Sequence, residues 1–212
     1  VFESPIMAPE LAARYPQIKT YAGQGLDAPT TSIRLDLIPL GFHAILFTPR
    51  GTVYIDPVVK GNTRYYVSYR REDYVLRPGD EFSEPQVLAL AGALQDAVRQ
   101  VELPASPTVP IGTQLRTYRL ALAATGEYTA YHGGTIGLAL AAQVVAMNRV
   151  NGIYEREVAL RMELVPNNDL IIYTDGTTDP YTNEDGAKML LENQKNLDAV
   201  IGTANYDIGH VF

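Results

Sequence analysis

The stretch 115-LRTYRLALAAT-125 decides how the second half of the chain folds. Tyr118, Leu120 and Leu122 fall on one face of an alternating pattern, and small residues dominate the positions after Arg119. This composition is typical of a strand in the middle of a sheet, where both faces are buried. The sequence therefore predicts a central strand here.

The segments after this strand alternate between helical and strand-like patterns. Apolar residues recur every three or four positions after the glycine pair 133–134 and again over 187–201, which predicts two helices. Thr182 and Asp185 are spaced like a capping box and predict the start of the second helix. Because helical crossovers connect parallel strands, the order predicts a mainly parallel α/β sheet. Further strands are predicted in 159-ALRMELVP-166, 169-DLIIYT-174 and 206-YDIGHVF-212.

The first half of the chain is rich in strand patterns. In 31-TSIRLDLIP-39, three apolar residues share one face, whereas Arg34 and Asp36 share the other. Pro9 and Pro16 bracket a short predicted helix. Further strands are predicted on both sides of a turn in 43-HAILFTPRGTVYIDP-57, and in 63-TRYYVSY-69.

The predicted fold class is α/β, or α+β overall, in three segments. Residues 1–75 are a β-rich domain, 76–112 a linker, and 113–212 an α/β unit. The linker is assigned because proline and acidic residues flank a helix-like stretch, 86-QVLALAGALQDAVRQ-100.

Composition limits the classes of function. The net charge of −7 argues against a nucleic-acid partner, since phosphate binding needs a basic face. The chain has no cysteine, which excludes disulfides and thiolate catalysis. The longest apolar run, 136–147, is interrupted by Gln143 and is shorter than the roughly 20 residues of a membrane span. We therefore expect a soluble protein with no membrane span.

The histidines do not form a recognisable catalytic motif. His43, His132 and His210 are the only three, and none is paired as in HExxH. A catalytic zinc needs three protein ligands, and a lone histidine in an apolar strand is more often structural. No active site is complete in this sequence.

Two loops are weaker candidates for ligand binding. The glycine pair before the long helix, near Glu127 and His132, could hold an anion on free amides, but a tight turn is the favoured interpretation. In the acidic loop, Asp179, Asn183 and Asp185 supply oxygen donors suited to calcium. The loop does not match an EF-hand, and a solvated helix-capping loop is the alternative.

Four further motifs occur in one order: 117-TYRLALAATGEYTAYHGGT-135, 146-AMNRVNGIYERE-157, 178-TDPYTN-183 and 205-NYDIGHVF-212. Together they resemble the bacterial reprolysin-like zinc metallopeptidases of the metzincin clan. The earlier segments 19-KTYAGQGLDAP-29, 32-SIRLDL-37 and 41-GFHA-44 resemble the pro-region of such enzymes. The resemblance implies a pro-region followed by the front half of a peptidase domain.

The resemblance implies peptide-bond hydrolysis by a zinc-activated water. It places an extended peptide or protein substrate along one strand edge, by β-augmentation. The family's HExxHxxGxxH helix, its glutamate base and its methionine turn have no counterpart in these 212 residues. This chain alone is therefore predicted to be inactive, and a C-terminal catalytic half is expected after Phe212. The substrate-binding edge would consist of Ile208, Gly209, His210, Val211 and Phe212.

Location and rival functions follow from the same comparison. The resemblance implies a secreted or cell-surface bacterial protein. A non-enzymatic binding or adhesion module on the same scaffold is the main alternative. A small-molecule α/β enzyme is a more distant one, because the chain has no cofactor fingerprint.

Overall fold

The computed structural model describes residues 1–74, here called the N-terminal part, and residues 114–212, here called the C-terminal part. The helix predicted over 86–100 lies outside the described residues. The N-terminal part is an antiparallel sheet whose six strands follow one another in sequence order. Its predicted helix and strands are confirmed. The elements are β1 (Phe2–Glu3), α1 (Pro9–Arg14), β2 (Lys19–Gln24), β3 (Ser32–Ile38), β4 (Gly41–Thr48), β5 (Gly51–Pro57), β6 (Tyr66–Arg70) and a 3-10 turn at Arg71–Asp73.

The C-terminal part contains a parallel sheet with β7 in its centre, between β8 and β9. This confirms the predicted central strand and its parallel neighbours. The elements are β7 (Arg116–Ala123), α2 (Gly126–Tyr131), α3 (Ile136–Glu157), β8 (Leu160–Leu164), a 3-10 turn at Asn168–Ile171, α4 (Gly186–Val200), a 3-10 turn at Thr203–Asn205, and β9 (Ile208–Val211).

The glycine pair before α3 forms the tight turn that the sequence favours. Gly133 and Gly134 have φ angles of 106° and 77°, a region in which side chains are strained. Their amides donate to the carbonyls of Ala130 and Thr129, at 3.2 and 2.8 Å. Because the turn uses both amides, they are not available to cradle an anion.

Helix α3 lies at the junction of the two parts. It packs against β8 of the parallel sheet and against β3 and β4 of the antiparallel sheet. By length and composition it could cross a membrane, but 61% of its apolar window is buried inside the fold. Its fully buried Gln143 donates to the carbonyls of Leu122 and Ala123, at 3.0 and 3.1 Å. These contacts are those of a core helix.

The strand β3 buries its polar face. Arg34 and Asp36 are 9% and 1% exposed, whereas Leu37 on the apolar face is 46% exposed. The predicted strand is therefore confirmed, but the face of the strand that is buried is the charged one. The physical reason is α3, whose side chain Asn148 donates to the Leu35 carbonyl at 3.0 Å and whose Glu155 pairs with Arg34.

The strand predicted at 169–174 is wrong. Residues Asn168–Ile171 form a 3-10 turn, and only Ile172 makes an isolated parallel bridge, to Ala124. The Asn168 side chain accepts from the Leu122 amide at 2.8 Å and donates to the Leu122 carbonyl at 3.0 Å. A side-chain amide thus takes the hydrogen bonds that a neighbouring strand would make.

The predicted start of α4 is wrong by three residues. Asp185, and not Thr182, caps the helix, since its Oδ1 accepts from the Lys188 amide at 3.0 Å. Thr182 binds Glu192 instead, through its amide at 2.8 Å and its hydroxyl at 2.9 Å. The loop is therefore folded back onto the second turn of α4.

Candidate functional site

The strand β9 is the feature that the family resemblance singles out. Ile208, Gly209, His210 and Val211 pair in parallel with residues 120–123 of β7. Along its other edge, β9 has no strand partner within residues 1–74 and 114–212. Gly209 and His210 are exposed. In the part of the chain that the structure describes, one main-chain edge of β9 is therefore unpaired.

Gly209 allows β9 to pack closely on α4. A Cβ at this position would lie 2.4 Å from Leu197 Cδ1, a contact that real side chains do not make. Leu197 is almost fully buried in the small core beneath β9. The glycine therefore fixes the distance between the strand and the helix below it.

A bidentate ion pair fixes the start of β9. Arg119 Nη2 and Nε donate to the two carboxylate oxygens of Asp207, at 2.7 and 3.1 Å, and the Arg119 amide donates to the same carboxylate at 2.8 Å. These hydrogen bonds lower the pKa of Asp207 to about 2. The sequence alone did not predict this ion pair, because no local pattern connects an arginine and an aspartate that are 88 positions apart.

An aromatic row runs from β9 to the end of α2. The rings of His210 and Phe212 meet edge to face with centroids 5.3 Å apart, and Phe212 lies 5.3 Å from Tyr128. Tyr128 in turn lies 4.4 Å from His132. Loss of hydration beside these neighbours lowers the pKa of His210.

His132 sits between this row and the N-terminal part. Burial, and secondarily the charge of Lys60, lower its pKa to about 4. Lys60 Nζ lies 3.8 Å from the centroid of the Tyr131 ring, and it also donates to the Tyr131 carbonyl. His132, Lys60 and Tyr131 line a cavity of about 290 Å³ between the two parts.

His43 of β4 lines the same cavity as His132. Its Nδ1 lies 3.0 Å from Oδ1 of Asp36, a buried carboxylate of β3. His43 therefore has a structural partner, whereas His132 and His210 are separated by the two rings of Tyr128 and Phe212. Within the described residues, no three His, Asp or Glu side chains are grouped to hold a metal ion. These residues do not fit a catalytic zinc, which needs three protein ligands.

The acidic loop uses its carboxylates on the protein itself. Asp179 accepts from the amides of Gly126 and Tyr181, at 2.7 and 3.0 Å. Asp185 caps α4, and Asn183 is exposed. Asp179 and Asp185 thus each hold backbone amides of the protein, and calcium binding stays a prediction.

The same loop lies tightly against the start of α2. A Cβ on Gly126 would stand 2.0 Å from the Gly176 amide nitrogen, and a Cβ on Gly176 would stand 2.3 Å from a Glu127 carboxylate oxygen. The two glycines therefore permit the close approach of loop and helix. No pattern in the sequence connects them.

Comparison with known proteins adds one positive finding. The model of a family described as metallo-peptidase family M12B, reprolysin-like, matches residues 114–212. The matched range begins just before β7 and includes β9. No curated protein and no solved structure matches the chain.

Proposed function

We propose that the chain is part of a zinc-dependent endopeptidase, on the premise that residues 114–212 match the model of the M12B reprolysin-like metallopeptidase family. The reaction class is hydrolysis of a peptide bond. The family match carries the reaction class, and the open edge of β9 is the single structural observation that supports a role for these residues in it.

In this proposal, a peptide substrate binds along the unpaired edge of β9. An extended peptide would add to the edge of the sheet through main-chain hydrogen bonds, a mode that tolerates many side chains. Arg119 and Asp207 hold the strand to β7, and Gly209 seats it on α4. The open edge is thus a rigid feature of the fold and not a loop.

The zinc site is a separate part of the proposal. The 212 residues contain three histidines and no HExxH pair, and the described ones do not fit catalytic zinc. We therefore place the zinc ligands and the catalytic base in protein outside these residues. The chain contributes substrate positioning and the scaffold beneath it.

Location and substrate class complete the proposal. Peptides or proteins outside the cell are the proposed substrates, and secretion or display on a bacterial surface is the proposed location. Both rest on the family resemblance. The calcium hypothesis is independent of this proposal, because the acidic loop contacts α2 and α4.

Main-chain pairing of the substrate with β9 is tested with the protein expressed from its whole gene and a set of matched peptides. A peptide that the enzyme cleaves is compared with analogues methylated at one backbone nitrogen at a time. Because alternate residues of a strand face a given neighbour, methylation should lower kcat/KM at every second position. The loss should be about threefold to tenfold, the worth of one hydrogen bond.

Two results would count against the proposal. Equal kcat/KM for all the methylated peptides would exclude main-chain pairing with β9 while leaving peptidase activity intact. Binding of peptides without any hydrolysis would favour the binding-module alternative.

A further inference from the structure

The junction between the two parts has the character of a subunit interface. We infer that residues 1–74 remain bound to residues 114–212 when the connection between them is cut, so that the N-terminal part is a resident subunit of the C-terminal part. The inference concerns the contacts between residues 1–74 and the region matched by the family model, residues 114–212. It does not depend on peptidase activity.

The first support is a main-chain bridge between the two parts. Met7 pairs in parallel with Leu164 of β8. The Leu164 amide donates to the Ile6 carbonyl at 2.8 Å, and the Ala8 amide donates to the Leu164 carbonyl at 2.9 Å. The N-terminal part therefore pairs with the end of β8, on the edge opposite β7. Backbone bonds of this kind also form between separate chains.

The second support is a shared apolar core. Ile6, Leu11 and Ile18 of the N-terminal part are at most 2% exposed, and they belong to the same buried cluster as Leu140 and Leu164. If the N-terminal part left, these side chains and the α3–β8 face would all meet water. Burial of apolar surface is the main favourable contribution to the free energy of protein association.

The third support is buried charge that each part supplies for the other. Glu155 of α3 accepts from Arg34, and also from Arg161 of β8 at 3.1 Å. Ser4 Oγ accepts from Arg34 and Arg161, at 2.9 and 3.1 Å. Separation would leave Arg34 without its carboxylate partner, whereas Glu155 would keep Arg161. The cluster therefore fixes how the two parts fit together, and the apolar contacts supply most of the attraction.

The fourth support lies at the rim of the junction. Arg14 of α1 donates to both carboxylate oxygens of Asp169, at 2.7 and 3.0 Å, and to the Pro166 carbonyl at 2.7 Å. The Tyr15 hydroxyl donates to the same carboxylate at 3.2 Å. Bidentate contacts between arginine and a carboxylate fix the relative orientation of the two groups and also attract them to each other.

The experiment cuts the otherwise intact chain. A recognition sequence for a site-specific protease replaces part of 75–113, and the cut protein passes through a size-exclusion column without denaturant. We expect both fragments in one peak near the 23.3 kDa position of the uncut chain, and separation of the fragments only in urea. Fragments that elute apart, or that precipitate on cutting, would overturn the inference.

A pair of arginine variants tests whether this junction holds the fragments. Arg14→Ala removes the contacts to Asp169 and Pro166 and should weaken the association of the fragments by about threefold to tenfold. Arg50→Ala is the matched control, since Arg50 lies in the exposed turn between β4 and β5. Equal dissociation constants for the two variants would contradict the proposed interface.

Discussion

Arg34 of β3 and Glu155 of α3 form an ion pair across the junction, although 121 positions separate them in the chain. Their side chains are only 10% and 17% exposed. Burial lowers the pKa of Arg34, and the Glu155 carboxylate opposes that effect. The pair links the charged face of an antiparallel sheet to the core helix of the parallel one.

Removal of the Glu155 carboxylate should destabilise the intact chain. Glu155→Ala leaves Arg34 and Arg161 close together without the carboxylate that they share, and the free energy of unfolding should fall by about 3 kcal/mol. Urea unfolding measures the change. Glu157→Ala is the control on the same helix, because its side chain is 64% exposed and its loss should change stability by less than about 0.5 kcal/mol. Equal midpoints for the two variants would show that the buried pair adds nothing.

Local patterns predicted most elements of the fold but not which surfaces meet. The alternation in β3 identified a strand, yet nothing near Arg34 and Asp36 indicates that a helix more than a hundred positions away supplies their partners. Similarly, the run at 169–174 is strand-like in composition. The turn forms there because the Asn168 side chain bonds the main chain of Leu122, a long-range contact that overrides propensity.

The candidate site was predictable only through family resemblance. An apolar stretch at 206–212 indicates a strand, but it does not say which edge of the sheet stays open. The residues that hold β9 in place, Arg119 with Asp207 and Gly209 against Leu197, are identified by geometry alone. Pairing of distant residues is the information that a single sequence lacks.

The contact between Gly126 and Gly176 should tolerate no side chain. Gly126→Ala would place a Cβ 2.0 Å from a backbone nitrogen, so the loop must move, and we expect a loss of about 1–3 kcal/mol. Gly186→Ala is the matched control, since a Cβ there meets nothing within 4 Å and the residue opens a helix. It should leave the melting temperature unchanged or raise it slightly. Thermal unfolding compares the two, and an equal melting temperature would refute the close approach.

Stability should decline between about pH 6.5 and pH 4 because of His132. Its pKa is about 4 in the folded protein, and about 6.5 is usual for an unfolded chain. In this range the unfolded state binds a proton that the folded state does not, so stability is lost as the pH falls.

Variants separate His132 from other groups that titrate. His132→Gln should flatten the decline measured by urea unfolding at pH 7, 5.5 and 4.5. His210→Gln should remove a smaller part of this loss of stability, because loss of hydration lowers the pKa of His210 too. An unchanged slope in His132→Gln would show that this imidazole keeps an ordinary pKa.

Asp179 provides the test of calcium binding. Asp179→Ala removes the acceptor of two backbone amides and should cost about 1.5 kcal/mol without any metal. The exposed neighbour Glu184 is the control, and Glu184→Ala should change stability little. The calcium hypothesis requires more, namely a melting temperature that rises in millimolar calcium and no longer rises in Asp179→Ala. Identical curves with calcium and with chelator would end that hypothesis.

The most direct test of the peptidase proposal compares the 212-residue chain with the protein expressed from its whole gene. Both are assayed for bound zinc and for cleavage of a mixed peptide library, with and without a chelator. We predict chelator-sensitive hydrolysis and stoichiometric zinc in the whole-gene product, and neither in the 212-residue chain, whose described residues offer no three-ligand site. A whole-gene product that folds but neither holds zinc nor cleaves any peptide would contradict the proposal, as would proteolysis by the 212-residue chain alone.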